Sequence, residues 1–219
     1  MIKKRLTIRK RRDNRAPHPQ GPAGRDGFGH VQRCFPRRHC GPRLQRQHAP
    51  AQRRRLDRPR SHRLLVPIGF SFNFFGTAYT QLYGNNNGNV TFDAALGTYT
   101  PFPLLATSRV IIPPFFADVD TRGTGNGSQP GTYGTGTFSG RTAFGVNWVD
   151  VRYFSRRTDK LNSFRRILVY RSDIAVGNAD IIFNYDRIQW ETGRASGGTN
   201  GLGRNSARAG FSKGSTVSF

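Results

Sequence analysis

Apolar and polar residues alternate with a period of two through Ile68, Phe70, Phe72 and Phe74, with Gly69, Ser71 and Asn73 between them. That spacing puts the four apolar side chains on one face of a strand. A second run, 78–84, reaches Asn85-Asn86-Asn87-Gly88 and resumes at 89–93, which predicts a hairpin whose Asn/Gly turn tolerates positive φ. Further strands are expected at 110–119, 142–154, 164–172, 179–190 and 207–212, separated by Gly, Pro, Asn and Thr. The run 142–154 changes phase midway. Phe144, Val146 and Trp148 share one face and Val149, Val151 and Tyr153 the other, so a bulge near Trp148 or burial of both faces is expected. Residues 122–141 contain seven glycines and read as a mobile surface loop. Strands without crossover helices predict an all-β fold, an antiparallel β-sandwich with long Gly-rich loops.

Composition divides the chain. Residues 1–63 carry 20 Lys+Arg and three acids (Asp13, Asp26, Asp57), a net charge of +17, while residues 64–219 carry a net of +6. All five His and both Cys (Cys34, Cys40) lie in the first part, and 24 of 26 aromatics in the second. Two domains of behaviour follow: a disordered Arg/Pro-rich segment over 1–63 and a β domain over 64–219. A disulfide scaffold is excluded. No apolar run approaches the 18 residues of a membrane-spanning helix. No signal peptide is readable, because no apolar stretch follows the basic start. The basic residues of 1–63 are 17 Arg and three Lys beside Pro, Ala, Gly, His and Gln, the composition of GC-rich DNA translated out of frame or from a wrong start. The alternative is a genuine arm that binds nucleic acid or an anionic surface through phosphates. His30, Cys34, His39 and Cys40 lack the paired spacing of a zinc site.

Four stretches, in order, carry a family resemblance. The first runs from Gly69-Phe70 through Phe74-Phe75-Gly76 to Asn87-Gly88-Asn89-Val90-Thr91-Phe92. The second is Pro114-Phe115-Phe116-Ala117-Asp118-Val119-Asp120-Thr121-Arg122. The third is Asn162-Ser163-Phe164. The fourth runs from Asp180 through Asn184-Tyr185 and Trp190-Glu191-Thr192-Gly193 to Gly197-Gly198 and Gly201-Leu202-Gly203. Over about residues 66–214 the chain resembles the nidogen-like (NIDO) domain. The resemblance implies family-motif roles for Phe74, Gly76, Asn87, Gly88, Pro114, Phe115, Asp118, Asp120, Phe164, Asn184, Tyr185, Trp190, Gly193, Gly197 and Gly198. Gly84, Pro113, Arg165 and Arg204 depart from the pattern. The chain also ends at Phe219 within a strand-like run, so a damaged or C-terminally truncated copy is expected.

Chemistry changes this picture little. No His or Cys follows residue 63, so no Ser-His-Asp or Cys-His nucleophile can be assembled there. Asp118, Asp120, Asp150 and Glu191 are the carboxylates a glycosidase pair could draw on, and no pattern couples them. Asp118 and Asp120, two apart on a strand, leave the same face, which suits either calcium or pairing with Arg122, Arg152 or turn amides. Gly201-Leu202-Gly203 lacks the strand and helix of a phosphate loop. Trp148 and Trp190 read as core. Asn89-Val90-Thr91 and Asn126-Gly127-Ser128 match the N-glycosylation acceptor pattern. No organic cofactor and no catalysis are expected. The resemblance implies an extracellular or cell-surface module for cell-matrix adhesion, with an extracellular matrix or cell-surface protein or glycan as partner. Residues 122–141 and 192–204 are the expected contact loops, the first removable (123–140) without loss of folding. The competing readings are a nucleic-acid-binding protein acting through residues 1–63 and a gene fragment without function.

Overall fold

The computed structural model describes residues 54–55, 65–122, 128 and 130–214. The expectation of disorder for 1–63 therefore falls, Arg54 and Arg55 apart, outside the described residues. Among the described residues thirteen strands occur in chain order: β1 (Arg54–Arg55), β2 (Leu65–Phe74), β3 (Thr77–Asn85), β4 (Asn89–Thr91), β5 (Val110–Ile112), β6 (Val119–Asp120) and β7 (Thr132–Phe138) come first. They are followed by β8 (Arg141–Tyr153), β9 (Arg157–Tyr170), β10 (Ala179–Arg187), β11 (Gly198–Thr199), β12 (Leu202–Gly203) and β13 (Ser212–Lys213). One sheet runs β1-β7-β8-β9-β10 with β6 on the end of β8, the other β13-β5-β4-β3-β2, and β11 and β12 form a small hairpin. All pairings are antiparallel.

The period-two apolar faces meet between the sheets. Val66, Ile68, Phe72 and Phe74 of β2, with Leu82 and Val90, pack toward Phe144, Val146 and Trp148 of β8 and Phe164 and Leu168 of β9. Phe70, expected with them, is only half-buried and stacks on Tyr170 at 4.8 Å. The phase change in β8 is a bulge: pairing with β9 slips between Trp148 and Val151, and Asp150 has φ 53°. Val149 is thereby turned out to solvent, while Val151 and Tyr153 return to the core side.

Several expected boundaries are corrected. Residues 122–141 are not one loop, because Thr132–Phe138 is β7, paired with β8 over its whole length. Gly134 and Gly136 hide the alternation by supplying no side chain on its outward face. Removing 123–140 would delete this strand, so the expectation that folding survives that deletion is overturned. The run 110–119 is interrupted after Ile112, where Pro113 and Pro114 supply no N–H, and resumes as β6. Of 207–212 only Ser212 lies in a strand, β13, beyond an isolated bridge between Arg208 and Phe116. Strand β9 begins earlier than expected, at Arg157, and β10 ends at Arg187.

Candidate functional site

The motif stretches converge at one end of the sandwich, around the β3–β4 turn, β6 and the segment after β10. The Asn run forms the turn. Asn85 Nδ2 donates to Asn89 Oδ1 (2.8 Å) and Thr91 Oγ1 (3.0 Å), and Asn85 Oδ1 accepts from Leu96 N–H (2.9 Å). Asn87 Nδ2 reaches Thr98 O (3.0 Å), and Asn86 Nδ2 reaches Val119 O (2.9 Å) on β6. Trp148 Nε1 donates to Asn86 O (3.2 Å), tying the opposite sheet to the same turn. Gly88, at φ 71°, lies so close to Phe115 that an added Cβ would overlap its carbonyl.

Aromatic residues continue the frame. Phe115 meets Phe164 at 5.1 Å and Trp190 edge-on at 5.6 Å, and Trp148 stacks on Phe164 at 5.2 Å. Trp190 Nε1 donates to Val151 O (3.0 Å). Asn162 Oδ1 accepts from Gln189 N–H and Trp190 N–H (2.7 and 3.2 Å), and its Nδ2 donates to Trp190 O (2.8 Å). The two tryptophans are core residues, as expected. Tyr185 donates to Pro114 O (2.7 Å), and burial pushes its hydroxyl up to about 12. Phe74 packs with Phe72, Phe92 and Phe211, and Gly76, at φ 93°, turns the chain into β3. Asn184 stands apart, on the outward side of β10 in register with Arg165.

The two aspartates of β6 and its approach have opposite fates. Arg122 grips Asp120 through Nε on Oδ1 (3.0 Å) and Nη2 on Oδ2 (2.9 Å), and the amides of Arg122 and Arg156 add bonds of 3.0 and 3.1 Å. Burial alone would raise this carboxyl, but those donors outweigh it and hold it below the usual range. Asp118 is also buried, and burial is the main cause that pushes it up to about 6, against the amides of Ala195 and Ser196 that face it. Its Oδ2 has no hydrogen-bond partner among the described residues, and Gly193 sits directly against it, where any Cβ would overlap. Gly198 is pressed in the same way onto the carbonyls of Thr192 and Gly193, and Gly197, at φ 82°, ends the short 3-10 turn Arg194–Ser196.

Residues 192–204 are thus packed onto Asp118 and its neighbours rather than free. Gly201-Leu202-Gly203 belongs to the β11–β12 hairpin. The other carboxylates also have partners: Asp150 holds Ser163 and Arg187, and Glu191 accepts from Ser206 (3.1 Å). Among the described residues no three His, Cys, Asp or Glu stand together as a metal site. Asn89 is fully buried with its amide bonded, so the acceptor pattern there is closed to a glycan, while Asn126 lies outside the described residues. Asn86, Asn162 and Ser128 stand in stretches that the sequence marks, but their bonding roles in the frame were not legible there. Ser128, inside the glycine-rich stretch and read there only as part of the Asn126-Gly127-Ser128 acceptor pattern, donates to Asp120 O.

The Asp118 carboxyl predicts a pH signature. Its folded value, about 6 against 3.8, favours the protonated form, so its contribution to stability is full below pH 4 and lost as pH rises through 6. The loss is about 3 kcal/mol. Asp118→Asn should therefore gain stability relative to the parent by about 3 kcal/mol between pH 4 and pH 7, read from urea unfolding at each pH. A pH-independent difference would contradict this.

Fold and frame together define an antiparallel β-sandwich module whose marked side chains bond chiefly to its own loops. The family model described as nidogen-like domain, NIDO, matches residues 80–219, and the chain belongs to that family. It is 32% identical to alpha-tectorin of Homo sapiens over 184 residues, covering 72% of this chain and 8% of that protein. It is 33% identical to alpha-tectorin of Mus musculus over 179 residues, with the same coverages. Identity to nidogen of Drosophila melanogaster is 27% over 173 residues, covering 69% of this chain and 12% of that protein. The chain thus spans only 8–12% of the length of these relatives. No solved structure matches it. No helix among the described residues is long and apolar enough to cross a membrane.

Proposed function

We propose that this chain is a non-catalytic extracellular module for cell-matrix adhesion, which recognises an extracellular matrix or cell-surface protein or glycan. The observation that carries this reading is the use made of the motif side chains. Asn85, Asn86, Asn87, Asn162, Asp118 and Asp120 are bound to loop backbone or to a neighbouring Arg, so they hold a recognition surface in shape rather than face a substrate. Family membership, with relatives named alpha-tectorin and nidogen, supports the extracellular setting.

The test is solid-phase binding of the full chain to purified matrix proteins and glycosaminoglycans, with duplex DNA as competitor. Binding should persist in excess DNA and between 50 and 200 mM salt, a range in which phosphate-driven binding falls by about 10³–10⁵. Binding that collapses under both conditions would favour the arm at residues 1–63, with its net charge of +17, and overturn the adhesion reading. So would no binding to any component.

A further inference from the structure

Arginines ring the turn between β8 and β9, and the frame holds three of them by the main chain. Arg156 N–H donates to Asp120 Oδ2 (3.1 Å), and the same carboxylate takes the amide of Arg122 (3.0 Å). Arg194 N–H donates to Phe154 O (2.8 Å), two residues before Arg156. Arg157 comes next in the chain and opens β9 opposite Tyr153. One carboxylate and one turn thus gather segments that lie far apart in the sequence. All four arginines are exposed.

Charge at this rim is unbalanced. The guanidinium of Arg122 takes Asp120, while Lys160 and Tyr153 take Asp159. Asp118 is buried under Gly193, and Glu191 accepts from Ser206. Arg156, Arg157 and Arg194 pair with no carboxylate among the described residues. Three such guanidinium groups attract a polyanion, and their planar forks suit two-point bonding to an oxyanion. The ring at the rim, Phe154, is half-buried with Arg122 over its face at 5.2 Å, and both tryptophans are core. A base seeking a stacking platform, as single-stranded nucleic acids do, finds none there. A sulfated sugar needs only the charge and the donors. We infer that this rim binds a sulfated glycan chain, with Arg156, Arg157 and Arg194 holding its sulfates. The inference rests on the adhesion reading above and narrows its partner to a polyanionic polysaccharide.

The experiment titrates the full chain with heparin over a series of salt concentrations. It compares the parent with Arg156→Gln/Arg194→Gln and with a control of equal charge, Arg141→Gln/Lys213→Gln, on β8 and β13. Glutamine leaves the main-chain bonds of Arg156 and Arg194 in place, and residues 1–63 are the same in all three proteins, so their contribution cancels. The rim variant should bind heparin roughly 10-fold or more weakly, with a salt slope shallower by about 2. The control should stay near the parent, and desulfated heparin should not distinguish the three. Equal losses in both variants would overturn the inference, as would desulfated heparin that binds as tightly as heparin. An equal loss of duplex DNA binding in the rim variant would assign the rim to phosphate and overturn it too. Heparin binding unchanged in the rim variant, beside undiminished binding to a purified matrix protein, would sink this inference and leave the adhesion reading standing.

Discussion

Replacing Arg166 by Met should stabilise the protein by about 3–5 kcal/mol at pH 7. Arg166 lies on β9 between Val146 of β8 and Phe183 of β10, on the face whose neighbours Phe164 and Leu168 form the core. It is fully buried, and its Nε, Nη1 and Nη2 have no hydrogen-bond partner among the described residues. Its guanidinium carbon lies over the face of Phe144, 5.5 Å from the ring centroid. Burial pushes the guanidinium from 12.5 down to about 9, because desolvation disfavours the charged form. Methionine keeps an unbranched chain and removes the charge. The sign follows from linkage: the unfolded chain holds its proton at pH 10 when the folded one has begun to lose it, so parent stability rises with pH above 9. The variant should lack that rise. Chemical denaturation at pH 7 and pH 10 reads both effects, and equal or lower stability of Arg166→Met would show that the guanidinium has a compensating partner.

Much of the architecture was legible because it rests on period-two alternation, which depends only on side-chain polarity. The β2 face, the hairpin at Asn85–Gly88 and the bulge after Trp148 were all visible in this way. Strand β7 was not, since Gly134 and Gly136 remove half of the alternating signal and the glycines around them make the whole stretch read as a loop. The segment 207–212 read as a strand but meets its neighbour only at Arg208, because a strand forms where a partner edge lies in register. The site was legible as a set of residues and not as chemistry. Asp118 and Asp120 are the same residue two positions apart, yet one meets Arg122 and the other Gly193, and that difference in tertiary neighbours separates their acidities. Asn162 and Ser128 likewise act through backbone groups whose identity no sequence pattern records. The frame also explains why glycine dominates the motifs: Gly88, Gly193 and Gly198 each stand where another segment comes within contact of the Cα.

Gly88→Ala should be the costliest of the glycine substitutions at φ > 0, with a loss on the order of 3–5 kcal/mol or failure to fold. Two effects add. The left-handed conformation at φ 71° costs a side-chain-bearing residue about 1 kcal/mol. The new methyl would also overlap the Phe115 carbonyl, which is backbone and cannot rotate aside. The hairpin and the Pro114-Phe115 segment must then separate, which strains the bond from Phe115 N–H to Gly88 O (3.2 Å) and pulls Phe115 from Phe164 and Trp190. Gly76 supplies the control. It has φ 93°, and nothing lies within 4 Å of where its Cβ would be, so Gly76→Ala carries the conformational cost alone, about 1 kcal/mol. Urea midpoints of the two variants, with tryptophan fluorescence as the probe, separate the contributions. Similar losses in both would mean that the close approach of the hairpin to Phe115 does not hold the frame together.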